Sequence, residues 1–102
     1  MNWRVWVRPE AESDIVEAAA WYETHRDGLG KEFIEEILVV LNALALNPLV
    51  SCRRHPSKNI RWRYPERFPY RVIYEVLEYD EIVVVVAILH AARHDRHWRD
   101  RV

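Results

Sequence analysis

The chain has 102 residues and a net charge of −1, with 15 Lys and Arg residues against 16 Asp and Glu residues. A chain of this length forms one domain around a single core, so we expect one domain over residues 1–102. The nearly balanced charge excludes a uniformly basic nucleic-acid-binding protein. The apolar run at residues 82–89 is too short to cross a bilayer, which takes about 20 apolar residues. We therefore expect a cytoplasmic protein with no membrane partner, and its single cysteine agrees with a reducing compartment.

Acidic and basic residues are distributed unevenly between the two halves of the chain. Residues 9–50 contain nine acids and only two basic residues, whereas most of the basic residues lie in 51–102. This asymmetry indicates either an anionic partner for the second half or an ordinary solvated basic tail, and the sequence leaves both open.

The first elements predicted are a strand and a helix. Apolar residues alternate around Arg4 in residues 3–7, which is typical of a strand. Pro9 then fits the first position of a helix. The apolar residues that follow at helical spacing form one stripe, and its alanines allow a neighbour to approach closely. They are Ala11, Ile15, Ala18, Ala19 and Tyr22.

A second helix is predicted after a tight connection at residues 27–30, where two glycines interrupt the helical pattern. Asn47 and Pro48 end this helix. Two helices with so short a connection predict an antiparallel helical hairpin. The core face expected for the second helix consists of Phe33, Ile34, Ile37, Leu38, Leu41, Leu44 and Ala45.

Three strands are predicted in the second half, at residues 60–64, 70–76 and 82–89. The last of them contains no polar residue, which predicts a central strand covered on both faces, with the N-terminal strand as its second neighbour. The fold class is therefore α+β. An N-terminal strand and a helical hairpin precede a mostly antiparallel three-strand meander that completes one sheet, and a short helix follows from about Asp95.

The candidate functional residues lie on these strands and at their ends. Arg71 sits among β-branched neighbours, and a buried guanidinium needs an anion. The sequence leaves two interpretations open. In the functional one, Arg71 binds a phosphate or an acidic partner residue; in the structural one, it pairs with Glu75 or a helix acid and serves the fold alone. We favour a functional role, because other cationic side chains can converge on the same place. These are Arg61, Arg63, His90 and Arg93.

The last strand leads directly into a cationic cluster. His90 and His94 can act as general acid or base near neutral pH. Their spacing matches one helical turn, but no third ligand completes a site, so we expect neither a metal nor another cofactor. Two interpretations are open for the basic residues near the C-terminus. In one they touch phosphates; in the other they are solvated, and Trp98 packs the tail onto the sheet. The candidate target- or phosphate-binding residues are thus Arg61, Arg63, Arg71, His90, Arg93 and His94.

Four segments of the chain are similar to a known family. The motif FPYR-x-x-Y at residues 68–74 is followed by the apolar strand and by its ending H-x-x-R at residues 90–93. Upstream, AESDIVEAAAWYE at residues 11–23 and GLGKEFIEEI at residues 28–37 have the pattern of a helical hairpin. Together these segments resemble the RelE/ParE superfamily of small bacterial toxins over nearly the whole chain. The resemblance implies a toxin that arrests growth and takes part in plasmid stabilisation. It also implies a cognate antitoxin, which neutralises the toxin by laying an extended or helical segment over its surface.

One of the two activities in this superfamily is enzymatic. RelE-like members are ribosome-dependent endoribonucleases that cut messenger RNA by attack of a 2′-hydroxyl on the neighbouring phosphate. Arg61 and Arg63 fall near positions where some of these nucleases carry lysines, but arginine is a poor proton shuttle because its pKa stays above about 12. No tyrosine follows Tyr79, although many of these nucleases carry one near the C-terminus. If the chain were such a nuclease, the resemblance would assign catalysis to Arg71, His90 and Arg93.

ParE-like members resemble the chain more closely. They share the L-H-x-x-R stretch at residues 89–93 and generally lack the ribonuclease residues. The activity that this implies is inhibition of DNA gyrase, which blocks replication by stabilising broken DNA. We therefore expect a ParE-like toxin whose partners are a cognate antitoxin and DNA gyrase. Two alternatives stay open, namely a RelE-like nuclease acting on messenger RNA at the ribosome and a non-catalytic protein-binding module.

Overall fold

A computed structural model describes residues 2–102 and shows the α+β fold expected from the sequence. The helices and strands follow in the predicted order, and the short C-terminal helix is present. In chain order they are β1 (Arg4–Val7), α1 (Pro9–Glu23), α2 (Leu29–Leu46), β2 (Ile60–Arg63), β3 (Tyr70–Leu77), β4 (Ile82–His90) and α3 (Arg96–Arg99).

The four strands form one mixed sheet in the order β1-β4-β3-β2. β1 runs parallel to β4, with Arg4 opposite Ile82, whereas β3 pairs antiparallel with both β2 and β4. β4 therefore lies inside the sheet and is buried on both faces, which is why its sequence shows no alternation. The prediction that the N-terminal strand is the second neighbour of β4 is confirmed.

Two glycines shape the connection between α1 and α2. Gly28 has φ of 85°, a left-handed conformation that glycine adopts without strain. A Cβ atom on Gly30 would lie 2.6 Å from the carbonyl oxygen of Ala19, so glycine is needed where the helices meet. The carboxylate of Glu23 accepts hydrogen bonds from the N–H groups of Gly28 (2.9 Å) and Gly30 (3.0 Å). These bonds satisfy amides at the start of α2 that have no partner inside the helix.

The main core lies between the helical hairpin and one face of the sheet. The apolar stripe predicted for α1 is confirmed, with its alanines buried and its larger members half-buried. In α2 the predicted face is partly wrong, because Val40 is buried whereas Ile34 and Leu38 are 39% and 52% exposed. Apolar residues surround more than half of this helix, so its sequence pattern does not show which of them face the sheet.

A second, smaller core covers the opposite face of the sheet. Trp98 of α3 is fully buried there and packs edge-on against Trp62, with ring centroids 6.2 Å apart. The interpretation in which Trp98 packs the tail onto the sheet is thus confirmed. The other buried members of this cluster are Ile60, Ile73, Val86, Ala87 and Leu89.

Candidate functional site

A turn and the short helix α3 follow β4 and present a group of exposed basic side chains. Nδ1 of His90 accepts a hydrogen bond from the N–H of Ala92 at 3.0 Å, and Nδ1 of His94 accepts one from the N–H of Arg96 at 3.1 Å. Both imidazoles therefore hold backbone amides of the turn. The exposed group, called the cationic surface below, consists of Arg93, His94, Arg96, His97 and Arg99.

Arg71 lies beneath the cationic surface and is not part of it. Its side chain is 5% exposed, and Nη1 donates a hydrogen bond to Oδ1 of Asp95 at 2.7 Å. Nη2 donates to the carbonyl oxygen of Arg93 at 2.9 Å, and the guanidinium carbon lies 4.9 Å from the ring centroid of Trp62. The hydrogen bond from Arg71 is the main reason that the pKa of Asp95 is lowered. The anion that Arg71 requires is therefore supplied by Asp95 and not by Glu75.

Arg61 and Arg63 do not converge with Arg71, contrary to the expectation. Arg61 is opposite Tyr74 and Arg63 is opposite Val72, and both of these partners belong to the core under the helices. Residues directly opposite each other share a face of the sheet, so both arginines lie on the helix side. Arg71 lies on the other side, because side chains alternate between the faces along β3.

Arg61 instead holds the segment that follows α2. Its Nη1 donates hydrogen bonds to the carbonyl oxygens of Leu49 (3.0 Å) and Ser51, and its Nε donates to Oδ1 of Asn59 at 2.9 Å. Arg63 lines a shallow groove between α2 and the loop after β2. The guanidinium of Arg61 therefore stabilises the fold through these hydrogen bonds, and Arg63 lies away from the cationic surface.

His90 and Arg71 also lie on opposite faces of the sheet. His90 is opposite Tyr70 on the helix side, and the two rings meet edge-on with centroids 5.3 Å apart. Arg71 is opposite Leu89 and faces the smaller core. Of Arg93, only the backbone carbonyl reaches Arg71, while its side chain is exposed. The three residues of the nuclease hypothesis are therefore not assembled around one phosphate.

A groove of about 690 Å³ opens beside the end of β4, between the sheet and α1. Its apolar and aromatic part comes from Trp21 and Tyr22 of α1 together with Tyr70 and Ile88. Burial raises the pKa of Tyr70, so its phenol stays protonated at neutral pH and can donate a hydrogen bond. The charged and imidazole side chains that line the groove are Asp14, Glu17, His90, Arg93, His97 and Arg101.

Asp14 and Arg101 close the edge of β4 at the bottom of this groove. β1 pairs with β4 only as far as Val85, so the following residues have no strand partner on that side. Oδ2 of Asp14 accepts a hydrogen bond from the N–H of Ile88 at 3.0 Å, and Nη1 of Arg101 donates to the carbonyl oxygen of Val86 at 3.1 Å. The two side chains also form an ion pair at 2.7 Å, which raises the pKa of Arg101. Their contacts satisfy backbone groups that a neighbouring strand would otherwise bind.

Among residues 2–102, no three His, Cys, Asp or Glu side chains gather as ligands for a metal ion. None of the helices in the same range is long and apolar enough to span a bilayer.

The family model of the ParE toxin of type II toxin-antitoxin systems, parDE, matches residues 5–95. This range runs from β1 to the residue that precedes α3 and includes both helices of the hairpin. The chain belongs to the ParE toxin family. The matched range includes the helical hairpin and the apolar strand on which the sequence resemblance rested, while Trp98 and Arg101 lie beyond it.

A solved structure shares the fold of this ParE-family toxin. It is a chain of the chromosomal ParDE TA system from P. aeruginosa, with a TM-score of 0.71 and 14% sequence identity. The similarity covers 86% of this chain and 95% of that chain. No curated protein matches the sequence of this toxin.

Proposed function

We propose that this ParE-family toxin arrests growth by inhibiting DNA gyrase in the cytoplasm, with no enzymatic activity of its own, and that a cognate antitoxin neutralises it. The observation that carries the proposal is the position of Arg71. Its guanidinium is buried and bound to Asp95, on the face of the sheet opposite His90. A ribonuclease would need both groups beside one phosphate, so the geometry favours a toxin that acts by binding.

The cationic surface is the part of the toxin that we propose contacts the target. Gyrase holding cleaved DNA exposes phosphates, and exposed basic side chains complement such a partner. Arg93 and Arg96 are suited to this contact, since both side chains are exposed and neither forms an ion pair in the described part of the chain. Complementary charge would raise the association rate and make binding sensitive to salt.

Induced expression in bacteria tests the target. The wild-type chain should arrest growth, induce the DNA-damage response and leave messenger RNA intact. The double variant Arg93→Ala with Arg96→Ala should relieve the arrest. A matched control, Arg4→Ala with Arg53→Ala, removes two exposed arginines elsewhere and should arrest growth like the parent.

His90→Gln separates the proposal from the nuclease alternative. Loss of a general acid or base typically lowers a rate about 100- to 10,000-fold. His90 instead holds the N–H of Ala92 here, so the expected loss of toxicity is modest. Cleavage of ribosome-bound messenger RNA at specific sites, abolished in His90→Gln, would replace gyrase inhibition with ribonuclease activity. With purified gyrase, absence of stabilised DNA breaks would also refute the proposed target.

The groove beside β4 is the part that we propose binds the antitoxin. Its walls combine exposed aromatic surface with His90, Arg93 and His97, which suits a segment that carries apolar and acidic residues. The groove also includes side chains of the cationic surface, so an occupied groove would cover part of the surface that faces the target. Neutralisation would then follow from simple competition.

A pair of tryptophans tests the antitoxin site. Trp21 lines the groove and is 54% exposed, whereas Trp6 is 55% exposed and lies outside it. Trp21→Ala should weaken association with the product of the adjacent gene about 10- to 100-fold, as expected for a central aromatic contact. Trp6→Ala should change it less than about 3-fold. Equal losses in both variants would place the antitoxin elsewhere, and co-expression that neither restores growth nor yields a complex would refute the pairing.

A further inference from the structure

We infer that Arg71, Asp95 and Trp98 are positioning residues, which hold the cationic surface in its active shape without touching the target. The inference rests on the proposed role of that surface. From the sequence alone, this buried arginine was either a ligand for a phosphate or an acidic partner residue, or a residue that serves the fold alone. The C-terminal segment, residues 91–102, carries the cationic surface on its outer side and these contacts on its inner side.

Arg71 fixes the two residues on either side of His94. One arm of its guanidinium binds the carbonyl oxygen of Arg93 and the other binds the carboxylate of Asp95. The fork of an arginine is planar and rigid, so these two bonds set the path of the chain between those residues. Because the arginine is buried and stacked on Trp62, the path is fixed relative to β2 and β3.

Trp98 fixes the orientation of α3. The helix has only four residues, and Trp98 is its one buried side chain. A helix this short has little stability of its own and takes its position from tertiary packing. With Trp98 inserted beside Trp62, the other three side chains of α3 are exposed.

Contacts at the chain end complete the attachment of the segment. The side chain of Arg8 donates a hydrogen bond to the carbonyl oxygen of Arg101. The side chain of Lys58 donates one to the carbonyl oxygen of Val102. Without its internal contacts, a segment with four arginines between residues 93 and 101 would repel itself and extend into solvent. Asp95 and Trp98 therefore convert a charged tail into a defined surface.

A role in positioning and a direct contact predict opposite effects for Asp95. If Arg71 touched an anion of the target, Asp95 would compete for the same guanidinium donors. Its removal would then free Arg71 and keep or increase toxicity. If Arg71 acts through Asp95, removal of either partner releases the same turn, and both changes lower toxicity.

The experiment compares Arg71→Met, Asp95→Ala and the control Asp100→Ala. Asp100 is an exposed acid of the same segment, so its loss changes net charge as much as the loss of Asp95. The first readout is amide hydrogen exchange of the purified chain. Exchange at Trp98 and Arg99, whose N–H groups bond to the carbonyl oxygen of Asp95, should be at least 10-fold faster in both test variants. Exchange in α2 and β4 should remain protected, and Asp100→Ala should match the parent.

Growth arrest is the second readout, and the two test variants should both lose it while Asp100→Ala retains it. Asp95→Ala with undiminished toxicity would overturn the positioning role, as would exchange at Trp98 and Arg99 that stays at the parental rate. Should Arg71→Met fail to fold, Asp95→Ala decides, because the Asp95 side chain is 38% exposed and its loss leaves the core intact. A wild-type chain that arrests no growth would refute the proposed function, and hydrogen exchange alone would then decide whether these residues position the segment.

Discussion

Removal of the Asp14 carboxylate is expected to destabilise this toxin far more than removal of the neighbouring acid in the same groove. Oδ2 of Asp14 accepts bonds from Arg101 and Ile88, and Oδ1 accepts a second bond from Arg101 at 3.2 Å. Its side chain is 10% exposed and that of Arg101 is 23% exposed, so solvent replaces these bonds poorly. Asp14→Ala leaves a backbone donor and a guanidinium without their partner, a loss of about 3 kcal/mol.

Two further variants divide this loss between its parts. Asp14→Asn retains an oxygen for the N–H of Ile88 but removes the charge, so about half of the loss should remain. Glu17→Ala is the matched control, since Glu17 lines the same groove and forms no hydrogen bond or ion pair among residues 2–102. It should change stability by less than about 0.5 kcal/mol.

Urea unfolding measures these differences directly. With a slope of about 1.5 kcal/mol per molar urea, a loss of about 3 kcal/mol lowers the midpoint by about 2 M. A double-mutant cycle with Arg101→Met should give a coupling energy of about 1–3 kcal/mol for the ion pair. Midpoints of Asp14→Ala and Glu17→Ala that coincide would refute the conclusion that Asp14 and Arg101 close the β4 edge.

Three other predictions follow from the packing and from the Asp95 ion pair. Gly30→Ala should lower stability by about 1–3 kcal/mol in thermal melts, because the added Cβ meets the carbonyl oxygen of Ala19; an unchanged melting temperature would contradict that close approach. Ile37→Ala should cost about 2–5 kcal/mol whereas Leu38→Ala should cost less than about 1 kcal/mol, and similar losses would contradict the assignment of the buried face. Arg71 lowers the pKa of Asp95, so this carboxylate stabilises the fold above its unfolded pKa of about 3.9 and loses that effect as pH falls through its folded value. Asp95→Asn should therefore lose less stability than the wild type between pH 7 and pH 3 in urea titrations, and equal losses would contradict the pairing.

Part of the candidate site could be predicted from the sequence because it depends on neighbours along the chain. The cationic surface directly follows β4, so its residues share one end of the sheet in any fold of this pattern. The histidine contacts in the turn are similarly local, since each imidazole binds an amide two residues later. The need of Arg71 for an anion followed from its apolar neighbours alone.

Other parts of the site depend on residues far apart in sequence. The sequence offered several acids to Arg71, and the docking of α3 selected Asp95 over Glu75. Asp14 and Arg101 are separated by 87 positions, and the sequence pattern of α1 gives Asp14 no feature that distinguishes it from the other acids of the helix. Only the end of β1 at the level of Val85 creates the free backbone groups that these side chains bind.

Element order, the central position of β4 and the basic end of the sheet were determined by the sequence itself, because hydrophobic periodicity and chain neighbourhood encode them. The tertiary structure decided which face each arginine occupies relative to its possible partners. Alternation along a strand predicts which residues of that strand share a face of the sheet with Arg61 or with Arg71. It does not predict whether Arg61 and Arg71, on different strands, lie on the same face. The register between β2 and β3 places them on opposite sides, with Arg61 among helix-side contacts and Arg71 against Asp95. The physical reason is that register is a long-range property, set by the packing of the whole sheet and not by any one strand.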